Sequence, residues 1–173
     1  MTNKQEVINE QEVINEQEIL LDKINKLEQR YQRLEDIEEI KKLKARYFRF
    51  VDEKNWSELA KIFTDDVKLE PDGHVFKNGE EFSTVIRDLV GAAPTVHHGH
   101  MPEIDWIDEN HAKGIWAMED LLTFPDKEGA PEGHNGYGQY RETYERVEGV
   151  WKISNLVLTR FRMDPLANWN TSQ

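Results

Sequence analysis

A chain of 173 residues with 38% hydrophobic side chains and a mean hydropathy of −0.78 fits one domain carrying a polar extension. The absence of cysteine excludes disulfides, a thiolate nucleophile and Cys-ligated metals. The net charge of −12 lies mostly beyond residue 34 and is the wrong sign for a nucleic-acid partner or an anionic membrane surface.

No apolar h-region opens the chain, and no run approaches the roughly 18 apolar residues of a membrane span, so a cytoplasmic protein is expected. Residues 5–10, QEVINE, are repeated at 11–16. A six-residue period matches neither helical nor coiled-coil spacing, so the repeat reads as part of a solvated leader. Leu20, Ile24, Leu27, Tyr31 and Leu34 then step by 4 and 3 in a coiled-coil-like seam of about two heptads. Residues 1–34 are therefore read as a polar N-terminal extension, partly helical or disordered, and 35–173 as the folded domain.

Asp36 is a candidate N-cap for a helix whose apolar face is Ile37, Ile40, Leu43, Tyr47, Phe48 and Val51. Asp52-Glu53-Lys54-Asn55 ends it. Asn55 opens a second helix over 56–63, followed by a short strand at 67–70 and another at 74–76. Asn78-Gly79 leads into a third helix over 80–90. The pattern then changes to strands at 95–106, 111–124, 137–147 and 150–162, with a long Gly/Pro-rich loop at 125–136 suited to a lid or rim. Three helices followed by long antiparallel strands predict an α+β fold: a cone-shaped α+β barrel in which a strongly curved, mainly antiparallel sheet and three helices enclose a pocket.

The chemistry concentrates where the sheet begins. Three of the six histidines fall at 97, 98 and 100. Strand alternation puts His97 on one face and His98 and His100 on the other. His-x-His followed by Glu103 also resembles a cupin-type metal arrangement. The spacing to Glu103 is tight for that motif and the helical first half is wrong for a jelly roll. No metal is therefore expected, and His98 and His100 are read as outer-face residues. His97 as a general base needs an acid to hold its second ring nitrogen, and Asp52, disfavoured by the dipole at a helix C-terminus, is the candidate. Tyr47 is either a core aromatic or a phenol donor to a substrate oxygen. Asp120 shares strand parity with Trp116, Met118, Leu122 and Phe124. An acid on that apolar face needs a partner, and Glu119 lies on the opposite face. Phe48, Trp116, Met118, Leu122 and Tyr140 read equally as pocket lining or plain core.

Four signatures, Ala45-Arg46-Tyr47-Phe48-Arg49-Phe50-Val51-Asp52, Trp56 with Phe63, Val96-His97-His98-Gly99-His100 and Tyr144 to Ile153, together resemble the SnoaL-like branch of the nuclear-transport-factor-2-like superfamily over about residues 36–163. The Asp52 and His97 contexts are similar to its catalytic subset of bile acid 7α-dehydratase, scytalone dehydratase and hexachlorocyclohexane dehydrochlorinase. The resemblance implies an Asp52–His97 dyad, with Tyr47 and Asp120 as further catalytic positions and no cofactor. It implies a lyase of dehydratase type acting on a hydrophobic cyclic hydroxy-ketone, steroid- or polyketide-like. The same proton abstraction serves an isomerase or polyketide cyclase, and a non-catalytic binding or assembly module is the alternative from another class. Catalytic relatives of this shape are commonly trimers or dimers, so a homo-oligomer is expected, with a hydrophobic small molecule as the other partner.

Overall fold

The computed structural model describes residues 2–125 and 131–166. The chain forms two compact units, Met1–Glu38 and Glu39–Gln173. Helix α1, Thr2–Asp52, runs through both. Asp36 therefore lies within a helix rather than at its start, and the expected cap is absent. The leader favours helix because residues 13–34 contain no Gly or Pro and few β-branched residues. Among the described residues no helix is long and apolar enough to cross a membrane.

In the second unit, Ile40, Leu43, Tyr47, Phe48 and Val51 bury the face of α1 that their spacing predicts. The helix stops in a Schellman arrangement. Lys54 takes a left-handed φ of 62°, and the Asn55 N–H donates to the Phe50 carbonyl at 2.8 Å. Helix α2, Trp56–Lys61, is shorter than expected, because Phe63 already begins strand β1, Phe63–Pro71. Asn55 sits at its N-cap position without a side-chain capping bond. Asn78 does cap α3, Gly79–Val90, accepting from the Glu81 N–H at 2.8 Å. The strand expected at 74–76 reduces to a single bridge between Leu69 and Phe76.

The strand expected over 95–106 is two strands, β2 (Thr95–Gly99) and β3 (Glu103–Trp106), because Pro102 cannot donate to a ladder. Both pair with β4, His111–Pro125. β5, Pro131–Val147, and β6, Val150–Pro165, complete the sheet. Residues 126–130 of the expected lid loop lie outside the described residues; the flanks of that loop belong to β4 and β5. Glu148 and Gly149, at φ 51° and 81°, make the tight turn between β5 and β6.

The strand order is β1-β6-β5-β4-β2, with β3 also on β4. β1 runs parallel to β6 and the other pairings are antiparallel, so the sheet is mixed and open rather than a closed barrel. Three helices pack on this sheet. Its inner face (Trp116, Met118, Tyr140, Tyr144, Ile153, Leu156 and Leu158) joins the α1 face, Leu59 and Phe82 in one core. Full burial of each such aliphatic or aromatic side chain contributes about 1.5–3 kcal/mol.

Candidate active site

The end of α1 meets the start of β2. Asp52 Oδ1 lies 2.7 Å from His97 Nδ1, and Asp52 Oδ2 accepts the His97 backbone N–H at 2.9 Å. One carboxylate thus fixes both the ring and the strand that carries it. The Thr95 hydroxyl donates to Asp52 Oδ1 at 2.9 Å, and the Lys54 ammonium donates to the Thr95 oxygen at 2.7 Å. The helix stop supplies this last group, since the left-handed turn at Lys54 brings its side chain to β2. Burial pushes the Asp52 carboxyl up, but hydrogen bonds from the His97 ring, the His97 N–H and Thr95 outweigh it and hold the group below the usual carboxylate range. Burial lowers the Lys54 ammonium, against the pull of Asp52.

The His97 ring is 9% exposed and stacks on Phe48 at 6.5 Å between centroids and 16° between planes. Gly99 makes this packing possible, because a Cβ there would stand 2.5 Å from the Phe48 ring. With Nδ1 bound to a carboxylate as an N–H donor, the lone pair of a neutral imidazole is on Nε2.

His97 and Asp120 are directly opposed in the β2–β4 register, so their side chains share a face. Asp120 is fully buried and receives the Arg160 guanidinium, whose Nε is 3.1 Å from Oδ2 and whose Nη2 also pairs with it. Arg160 reaches Asp72 through Nη1 as well, forming an acid–base–acid cluster, and its pKa is raised. Desolvation lowers that pKa, and the bonds and charges from Asp120 and Asp72 outweigh it. Gly136 opposes Asp120 on β5, and a Cβ there would stand 2.0 Å from Asp120 Oδ1. His134 also enters this region: burial pushes its imidazole below the ordinary value despite Asp120, and its Nε2 is buried without a hydrogen-bond partner among the described residues.

A second buried network lies deeper. The Lys44 ammonium, fully buried, is 2.5 Å from Glu142 Oε1 and 3.4 Å from the centroid of Tyr140, with Tyr47 at 4.1 Å. Desolvation lowers Lys44 to about 8 against the attraction of Glu142. Tyr144 donates to Glu142 Oε2 at 2.5 Å and accepts from Trp116 Nε1 at 2.7 Å. The Tyr47 and Tyr140 phenols share a hydrogen bond, and burial pushes both pKa values up, so both are neutral and the pair keeps one O–H to donate elsewhere.

The sequence-derived candidates divide accordingly. Asp52 and His97 are in contact, and Asp120 shares their face with an ion-pair partner of its own. Tyr47 lies in the core with its phenol hydrogen-bonded to that of Tyr140. Phe48, Trp116, Met118 and Tyr140 are buried in that core, while Leu122 belongs to a separate small cluster with Val90 and Ala93. His98 and His100 lie on the outer face, more than half exposed, with His98 Nδ1 2.9 Å from Glu119. Reading by type missed Thr95, Lys54, Arg160, His134, Lys44 and Glu142. Parity offered a signal for two of them: Glu142 alternates with Tyr140 and Tyr144, and Arg160 with Leu156 and Leu158. A groove of ≈ 790 Å³ between α2 and α3, lined by Trp56, Lys61, Asn78 and Arg87 among others, includes none of the candidates.

Fold and site together define a class: an α+β cone that places an Asp–His pair at a helix end against the first strand of its sheet. Residues 32–157 match the model of the SnoaL-like domain, and the chain belongs to that family. A Gibberella zeae protein named as a probable cyclase is 28% identical over 129 residues, covering 68% of this chain and 85% of its own. Among solved structures, a type 2 hexachlorocyclohexane dehydrochlorinase superposes with TM-score 0.71 at 25% identity, over 79% of this chain and 93% of its own. A scytalone-dehydratase-like protein of Novosphingobium aromaticivorans superposes with TM-score 0.69 at 20% identity, over 77% and 89%, which bears on the fold alone. The relatives carry the names of enzymes that convert small molecules.

Proposed function

We propose that the protein is a cofactor-independent dehydratase-like lyase acting on a hydrophobic cyclic hydroxy-ketone, steroid- or polyketide-like. The observation that carries this reading is the two-point grip of Asp52 on the ring and backbone of His97. His97 Nε2 takes the proton from the carbon next to the ketone, and the resulting imidazolium is balanced by Asp52. The C–H electron pair forms the enolate, which then expels the β-hydroxyl. The imidazolium returns its proton to that oxygen, so water and an enone leave and the enzyme is unchanged. Asp120, the other acid on this face, is engaged by Arg160, which favours His97 over it for both proton transfers. The neutral Tyr47–Tyr140 phenol pair serves as the donor to the enolate oxygen, a role worth about 3–4 kcal/mol in the transition state when an oxyanion donor is lost.

A polyketide cyclase using the same proton abstraction is the second reading, favoured by the cyclase relative. The test is a panel of hydroxylated steroid- and polyketide-like ketones incubated with the protein and followed by mass. Loss of one water supports dehydration. Products isomeric with their substrates favour isomerisation or aldol cyclisation, and no conversion across a panel whose members bind the protein sinks the enzymatic reading.

A further inference from the structure

The unit Met1–Glu38 consists of α1 alone among the described residues, and its apolar side chains from Val13 to Leu34 face water. Val13, Leu20, Ile24, Leu27, Tyr31 and Leu34 are between 42% and 63% exposed. In heptad positions, Val13, Leu20, Leu27 and Leu34 occupy d, and Gln17, Ile24 and Tyr31 occupy a. The seam is therefore longer than the spacing from Leu20 alone indicates, about three heptads. The Asp22–Lys26 ion pair, 2.7 Å, falls at f and c, on the opposite face.

The flanking charges select the occupant. Glu16, Lys23 and Arg30 stand at g, and Leu21, Glu28 and Glu35 at e. In a parallel, in-register pair each g residue meets the e residue five positions on in the other helix. Lys23 then meets Glu28 of the second copy, and Arg30 meets Glu35 of the second copy. In an antiparallel pair g faces g and e faces e, so Lys23 and Arg30 meet each other or Glu16, and neither Glu28 nor Glu35 meets a base. Ile24 at a between Leu20 and Leu27 at d favours two strands at that layer, and one polar a residue, Gln17, favours a single register.

We infer that residues 13–34 pair with the same segment of a second copy of this chain as a parallel, in-register, two-stranded coiled coil. The chain has no cysteine, so single substitutions in the full-length protein report on this directly. Leu20→Cys and Leu34→Cys, each alone, should form covalent dimers under mild oxidation at least about ten-fold faster than Gln29→Cys at the outer f position, through the high effective concentration of facing thiols. All thiol should be consumed. Fast cross-linking of Leu20→Cys mixed with Ile24→Cys or Tyr31→Cys, with neither Leu20→Cys nor Leu34→Cys fast alone, would overturn the parallel arrangement. One thiol in three left free would overturn the two-stranded one, and rates equal to Gln29→Cys would overturn the pairing. Independently of packing at the thiols, the Lys23→Glu/Arg30→Glu protein should lose self-pairing and regain pairing when mixed with Glu28→Lys/Glu35→Lys. Retained self-pairing in the first would contradict the charge code.

Discussion

Replacing Lys44 by Met tests whether the buried Lys44–Glu142 pair is ionised and coupled. Lys44 and Glu142 side chains are both 0% exposed, and the ammonium is 2.5 Å from Oε1. Met matches the length of Lys and packs well against Tyr47, Phe48 and Tyr140, so lost packing is a minor cost. The major cost falls on Glu142, left buried and charged with the Tyr144 phenol as its remaining named donor. Breaking one side of a buried pair typically costs about 3–5 kcal/mol. For a domain of this size that lowers Tm by about 10–20 °C. The double variant Lys44→Met/Glu142→Gln removes both charges and keeps an acceptor for Tyr144, so it should return to within about 1–2 kcal/mol of the parent, since neutral replacements of buried pairs are well tolerated. Denaturant titration at neutral pH, checked by calorimetry, reads both values. A single variant as stable as the parent, or a double variant no more stable than the single, would refute the coupling.

The same lysine gives a pH signature. Its folded value of about 8 lies below the ordinary 10.5, so between these the unfolded chain binds more protons and this group's contribution to stability grows as pH rises, by about 2 kcal/mol at about pH 9.5. Unfolding titrations across that range should show the rise in the parent and a flat response in the Lys44→Met/Glu142→Gln protein. Gly136→Ala places a methyl 2.0 Å from Asp120 Oδ1 and 2.8 Å from Arg160 Nε, so it should displace the ion pair and cost at least about 2 kcal/mol by denaturant unfolding; a change under about 0.5 kcal/mol is the failing result. Asp52→Asn removes the charge facing the imidazolium. A contact worth about 4 kcal/mol at an effective dielectric of 20, discounted to about 2–3 for the partly exposed carboxylate, predicts a kcat roughly 30- to 150-fold lower on a substrate from the ketone panel, and unchanged kcat counts against the electrostatic role.

The helix face of α1, the helix stop after Asp52 and the long strands were legible because each is a local pattern: apolar residues at helical spacing, a run of breakers, and alternation. The Asp52–His97 contact was legible only through residue type in context, since the two positions are distant in the chain. Boundaries set by tertiary pairing were not. Phe63 belongs to a strand because β6 pairs with it, and nothing local distinguishes it from the last turn of α2. The leader reads as polar and irregular in its repeat, yet a continuous helix overrides the six-residue period because propensity does not depend on phase. Lys44 looks like an ordinary surface cation in sequence, and the parity of Arg160 with Leu156 and Leu158 marks its face without naming its partner. What buries them is a carboxylate on another element, Asp120 for one and Glu142 for the other, and that pairing emerges only once strand register is fixed.

The most direct test of the proposed chemistry is His97→Gln, measured as turnover and ligand binding on the same converted ketone. Gln retains a polar group of similar reach and cannot serve as the base. Turnover should fall by at least about 100-fold, the lower end for a general acid–base, while the ligand Kd stays within a few-fold of the parent. A His97→Gln protein that keeps full turnover would contradict the account.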